Sequence, residues 1–248
     1  MSGHNKWAKV KHIKAKQDAI RGRTFTRLIK ELTVAARMGG GDEDANPRLR
    51  KAIQDAKAAN MPFSNIDRAI KKGTGELEGV NYEEAVYEGY GPGGAALIIS
   101  VITDNKNRTV SDIRHLLSKH GGNMAENGAV SWMFDKKGIL SVATEGRSEN
   151  DLLEIAVEAG AEDLKYDPES SDILTVPADF EAVKNALDDH HVEIENAEIG
   201  MYPKNTVKVG GKEATQLLKL VDLLEEHDDV QSVYSNFDIP EEEINEVA

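Results

Sequence analysis

The 248-residue sequence predicts an α+β chain: an N-terminal three-helix domain with a basic arm, then two ferredoxin-like α/β sandwich domains, one inserted into the other. Three observations predict this. As far as about Gly75, apolar residues recur at helical spacing without strand-like alternation. Beyond Glu76-Leu77-Glu78-Gly79, which reads as a linker, β-branched runs alternate with amphipathic segments. Within that stretch, residues 138–199 read as a complete β-α-β-β-α-β unit, flanked by two β-α-β pieces that would close a second unit around it. The expected domains are therefore 1–75, 80–136 with 201–240, and 137–200.

The elements follow in order. Residues 4–22 are too polar to pack as a helix alone and read as an arm awaiting a partner. Thr24 or Thr26 can cap a helix carrying Phe25, Leu28, Ile29, Leu32 and Ala36, stopped by Gly39-Gly40-Gly41. Asn46-Pro47 is an N-cap followed by proline at the first helical position; the helix buries Leu49, Ile53, Ala56 and Ala59. Ser64 is the expected cap of a third helix with Ile66, Ala69 and Ile70 inward, ended by Gly73. In the second part, strands are expected over 95–103, 128–134, 138–144, 163–166, 172–176, 192–199 and 230–236. Helices are expected over 112–119, 149–159, 178–188 and 213–226. Residues 201–209 read as extended, and the acidic stretch 240–248 as a frayed end.

Composition narrows the function. Zero Cys excludes disulfide scaffolds, thiolate metal sites and a cysteine nucleophile. The longest apolar run, Ala95-Ala96-Leu97-Ile98-Ile99, is far below the ~20 residues a spanning helix needs, so no membrane partner is expected. The basic N-terminus has no apolar h-region, and the expected compartment is the cytoplasm. The net charge of −14 hides a division: residues 1–75 carry 17 Lys+Arg against 7 Asp+Glu, a net of +10, and residues 76–248 a net of −24. A basic arm and head on an acidic body is the electrostatic pattern of a polyanion binder whose body stays off the polyanion. The competing reading is a solvated basic tail.

The arm, Gly3 to Lys16, repeats basic residues with one aromatic among them. Lysines supply point charges to phosphates, and Trp7 either stacks on an unpaired base or staples back onto the helices. The expected nucleic-acid contacts are Lys6, Trp7, Lys9, Lys11, His12, Lys14, Lys16, Arg21, Arg23, Arg27 and Lys30. Arg68, Lys71 and Lys72, which share a helix face, either extend that surface or form a solvated outer face. Arg48, Arg50 and Gln54 come nearest to a major-groove reader, yet no helix carries the full Arg/Asn/Gln cluster of one.

Other motifs read as structure. Gly89-Tyr90-Gly91-Pro92-Gly93-Gly94 precedes a strand and lacks a Gly-Lys-Ser/Thr ending, so it is a turn and not a phosphate loop. Asp104 to Thr109 is a polar turn with Thr109 as the expected cap. His4 and His12, His115 and His120, and His190-His191 lack metal-ligand spacing. No nucleophile elbow, Walker sequence, HExxH or dinucleotide fingerprint is present. No catalytic residue, metal or cofactor is expected.

These blocks carry a resemblance. Gly3 to Trp7, Lys14, Lys16, Asp18 and Arg21-Gly22-Arg23 through Phe25 resemble the YebC/PmpR family. So do Asn60-Met61-Pro62, Ile66, Arg68 to Lys71, Tyr87 to Gly94, Asp104 to Thr109 and Gly121 to Phe134. The resemblance covers essentially all of 1–240. Ile13 stands where a basic residue is common, and Ala125 and Ala129 where Gly and Ser are usual. The resemblance implies a three-domain cytoplasmic regulator of transcription that binds DNA. Relatives have also been tied to the ribosome, helping translation through proline-rich stretches, and mitochondrial relatives activate translation of a cytochrome oxidase subunit. Both activities are non-enzymatic. Three functions are thus carried forward: a DNA-binding regulator, a translation factor acting on ribosomal or messenger RNA, and a protein–protein adaptor using the acidic body. Nothing in the sequence sets an oligomeric state, and a monomer is the default.

Overall fold

The computed structural model describes residues 17–144 and 146–240, with side chains from residue 22 onward. The expected α+β class holds. The arm residues 1–16 and the acidic end beyond 240 lie outside the described residues.

The head is three helices: α1 (Gln17–Gly39), α2 (Pro47–Ala58) and α3 (Phe63–Thr74). Leu32, Ala35, Ala36, Leu49, Ala52, Ile53, Ala56, Met61, Ile66 and Ala69 form its core. Asn46 does two jobs. Its side-chain oxygen accepts the Leu49 N–H at 3.1 Å, capping α2, while Nδ2 donates to the carbonyls of Ala35 and Gly40 at the end of α1. Gly39 makes room for it, since a Cβ there would lie 2.6 Å from the Asn46 amide.

Several expected helix ends move. α1 runs through Thr24 and Thr26, and the Thr26 hydroxyl donates back to the Gly22 carbonyl within the helix instead of capping it. α3 starts one residue before Ser64 and passes Gly73 to end at Gly75, whose φ of 84° forms the left-handed cap. Gly73 serves packing instead. A Cβ there would sit 2.4 Å from the Thr33 carbonyl, so glycine lets α3 press against α1.

The first sheet has the order β3-β1-β2-β9. Strand β1 (Glu83–Tyr90) pairs antiparallel with β2 (Ala96–Thr103), and β9 (Val230–Ser235) returns to the other side of β2. Strand β3 (Asn123–Met124) is short. Helices α4 (Lys106–Lys119) and α7 (Gly211–Glu225) bury Ile113, Leu117, Leu217, Leu220, Val221 and Leu224 against Leu97, Ile99 and Val101. Strand β1 was not expected, because its Glu83-Glu84 start and partial exposure hide the apolar pattern. Asn105, not Thr109, caps α4.

The expected strand at 128–134 is instead a loop with a 3₁₀ turn at Ser131–Met133. The cause is Glu88. Its buried carboxylate accepts the backbone N–H groups of Gly128, Val130 and Ser131 at 2.8, 2.7 and 3.0 Å, so these donors are not offered to a strand ladder.

The second sheet spans 134–203 in the order β5-β6-β4-β7, with every neighbouring pair antiparallel. Its elements run β4 (Phe134–Ala143), α5 (Glu149–Glu158), β5 (Asp163–Lys165), β6 (Ser170–Thr175), α6 (Phe180–Asp189) and β7 (Ile194–Pro203). Ala96, Ile98, Val130 and Phe134 join the two sheets, with Tyr90, Met201 and Tyr234 packed around them. A short parallel pair, β8 (Val207–Lys208) with β10 (Phe237–Asp238), closes the chain.

Candidate nucleic-acid interface

The cations of the head fall into two sets. One set is used to fasten the head to the body. Lys30, on the buried side of α1, is only 6 % exposed; its ammonium donates to Asp229 Oδ1 at 2.6 Å and to the Asp228 carbonyl at 2.8 Å. The other Asp229 oxygen accepts from Thr109 at 2.7 Å, Arg108 at 2.8 Å and Thr103 at 3.1 Å. Burial pushes the Asp229 carboxyl up, but the hydrogen bonds from Lys30, Arg108 and Thr109 outweigh it and hold the group well below the usual carboxylate range. Arg108, from the polar turn Asp104 to Thr109, is bound to Asp229 at 2.8 Å and to Asp104 at 2.7 Å.

Arg48 is the second fastener. It reaches Glu31 of α1 at 2.6 and 2.9 Å and Glu84 of β1 at 2.6 and 3.2 Å. The hydrogen bond to Glu31 leads in raising its pKa above the ordinary value, with burial opposing and Glu84 assisting. Arg37 adds bonds to Asn81 and to the Tyr82 carbonyl, and Arg23 lies 3.3 Å from Glu226. Between α1 and the body, Arg23, Lys30, Arg108 and Asp229 line a cleft of ≈ 620 Å³ that also holds Tyr82, Asp112 and His227.

The second set faces solvent. Arg50, Lys57, Arg68 and Lys72 are exposed and make no ion pair among the described residues. Arg50 binds only the carbonyls of Glu43 and Asp44, which leaves its charge uncompensated. Lys71 is paired with Asp67 one turn away at 2.9 Å, and that bond raises its pKa.

The expected contacts therefore divide. Lys6, Trp7, Lys9, Lys11, His12, Lys14 and Lys16 lie outside the described residues, and Arg21 is placed on α1 by its backbone. Lys30 is withdrawn from the phosphate-facing set, because its charge is buried and matched. Arg23 and Arg27 face the body; burial lowers the Arg27 pKa, and its Nε is buried without a hydrogen-bond partner among the described residues. Arg68 and Lys72 are open to solvent. Arg48 is no groove reader, being held by two carboxylates. The sequence missed Asp229 altogether: in Glu226-His227-Asp228-Asp229 it reads as one more acid in a turn, and only the long-range approach of Lys30 distinguishes it.

Among the described residues no group of His, Asp and Glu side chains could hold a metal ion, and no helix is long and apolar enough to cross a membrane. What the fold and site define is a charge-segregated α+β protein, a basic helical head pinned to an acidic two-sheet body. Comparison with known proteins is consistent over the whole length. Residues 5–76 match the TACO1/YebC protein N-terminal domain, and residues 82–237 match the TACO1/YebC second and third domain. The chain belongs to the TACO1/YebC family. It is 56 % identical to a "probable transcriptional regulatory protein" of Desulfatibacillum aliphaticivorans, covering 99 % of this chain and 100 % of that one. A protein of the same description from Geotalea uraniireducens is 55 % identical, covering 100 % of both. The crystal structure of a conserved hypothetical protein from Aquifex aeolicus is 50 % identical with a TM-score of 0.80, covering 92 % of this chain and 94 % of that one.

Proposed function

We propose that this protein is a non-enzymatic, cytoplasmic regulator of gene expression that holds nucleic acid through its basic N-terminal region, arm and head together, in three domains with the limits expected from the sequence. The observation that carries the reading is the sorting of the head's cations. Arg23, Lys30 and Arg48, which face the body, are matched by carboxylates, whereas Arg50, Lys57, Arg68 and Lys72 stay exposed with no carboxylate partner among the described residues, on a chain of net charge −14. On an acidic protein, cations without a carboxylate partner are available to an external polyanion. The similarity to probable transcriptional regulatory proteins supports a regulatory role.

One observation favours the ribosomal or messenger RNA reading over promoter recognition. Direct base readout needs Arg, Asn or Gln free on one helix face, and Arg48 is locked to Glu31 and Glu84. What remains is suited to phosphate contacts, which position a protein without reading sequence.

The test is a salt titration of binding to duplex DNA, to single-stranded RNA and to ribosomes. Charge reversal of Lys57, Arg68 and Lys72, all exposed, leaves the fold intact and flattens the log K against log [salt] slope by about 0.7–0.9 per lost contact. An unchanged slope removes the head from the interface. Removing residues 1–16 separates the readings: loss of DNA retention alone supports transcription, and loss of ribosome co-sedimentation alone supports translation. No change in either supports a protein adaptor.

A further inference from the structure

The seam between head and body is held differently from the rest of the molecule. Among the described residues every apolar cluster lies wholly in the head or wholly in the body: one is confined to residues 25–70, the others to residues 85–239. Val34, one turn beyond Lys30 on α1, and Ile102, near the end of β2, are buried but belong to none of them. What joins the two parts is charge. Arg48 reaches Glu84 at 2.6 Å, Arg23 reaches Glu226 at 3.3 Å and Lys30 reaches Asp229 at 2.6 Å. In each pair the cation is on the head and the carboxylate on the body. The fit is imperfect at Arg27, which feels the charges of Glu225 and Asp228 while its Nε is buried without a hydrogen-bond partner among the described residues. Opening the seam gives that donor back to water. The cleft of ≈ 620 Å³ runs into the same seam, and the chain crosses it through residues 75–81, which are exposed throughout. Interfaces within a chain that are neither large nor apolar permit relative motion of their domains. Separation also returns both members of each ion pair to water together, so neither is left as an unpaired buried charge.

We propose that the head–body seam is an electrostatic clasp that a nucleic acid opens: its phosphates compete with Glu84, Glu226 and Asp229 for Arg48, Arg23 and Lys30, and the head swings away about residues 75–81. This rests on the reading of the head as a nucleic-acid surface and adds how part of that surface is kept covered. Lys30, matched in the closed form, joins the phosphate contacts in the open one, along with Arg23 and Arg27 on the same helix. The body acids thus act as an internal competitor, and the apparent affinity is lowered by the fraction of molecules that are closed.

The chain has no cysteine. Ala45→Cys with Thr215→Cys, both exposed and outside the clasp, therefore takes a pair of dyes, one on the head and one on α7. Energy transfer is followed in the full-length chain at low salt during titration with single-stranded RNA and with duplex DNA of one sequence, and binding is measured in parallel by anisotropy. Transfer falls as the bound probe saturates. Glu84→Gln with Glu226→Gln starts from lower transfer and binds the same probe more tightly, by up to about fivefold for each exposed pair removed. Glu158→Gln with Glu213→Gln removes the same charge from exposed acids that make no ion pair among the described residues; it leaves the transfer as in the parent and tightens binding less. If the parent chain binds a probe with transfer unchanged, or the clasp variant binds no tighter than this control, the clasp is overturned while the nucleic-acid reading stands. If the parent chain binds neither probe, both fall together.

Discussion

Asp229 concentrates the physics of the molecule in one carboxylate. It accepts from Lys30, Arg108, Thr103 and Thr109 while 97 % of its surface is hidden, so removing it strands a buried ammonium. Breaking a buried pair from one side costs far more than the pair's net worth. Asp229→Ala is expected to lower stability by about 3–5 kcal/mol in urea unfolding. The pH dependence has a definite sign. The folded-state pKa is depressed below the unfolded value of about 3.9, so the stabilisation is fully present above that pH and is lost as pH falls through the folded pKa. In Asp229→Asn the unfolding free energy falls less steeply below about pH 4 than in the parent chain; equal acid limbs in the two would contradict the assignment. At this scale the sequence was legible only in part. Asn46 as a cap could be read from Asn-Pro, because capping is local, and that reading holds. The role of Lys30 could not be read, because its partner is 199 residues away.

Elements show where local rules win and where a distant side chain overrides them. Helices whose apolar spacing is unambiguous, such as α5, α6 and α7, form within a residue or two of expectation. The failures share a cause. Gly73 reads as a helix stop on the propensity of glycine, but the helix continues and the missing Cβ admits the Thr33 carbonyl. Gly73→Ala is therefore expected to destabilise the head by about 1–3 kcal/mol through overpacking, despite alanine's higher helix propensity; a stabilised variant in thermal unfolding would restore the simple stop-signal reading. Residues 128–134 carry a strand-like apolar pattern, yet Glu88 takes three of their N–H groups. Glu88→Ala leaves the buried Val130 N–H unpaired at about 1–3 kcal/mol, with less lost at Gly128 and Ser131, whose donors are only part-buried. Faster amide exchange over 125–131, with α5 and α6 unaffected, is the expected signature.

The whole molecule is an arrangement of charge. The asymmetry that the sequence displays, +10 against −24, becomes in three dimensions a division of labour among the head's own cations. Lys30 and Arg48 hold the head against the body, and Arg23 adds an exposed pair that contributes little by itself. The counts of charge could be read from the sequence because they need no geometry. Which cations face inward could not, since Arg48 and Arg50 lie two residues apart on one helix with opposite fates. The division of the sheets was legible where helix and strand alternate cleanly, over 138–199. It was obscured where β1 begins with two glutamates.

The measurement that bears most directly on this account is a crosslinking map of nucleic acid bound to the full-length protein, read out residue by residue. Crosslinks concentrated on the arm and on the exposed side of α2 and α3, near Lys57, Arg68 and Lys72, and sparse over residues 83–240, are the predicted result. Nucleotides attached to the two sheets, with the helical head untouched, would contradict it.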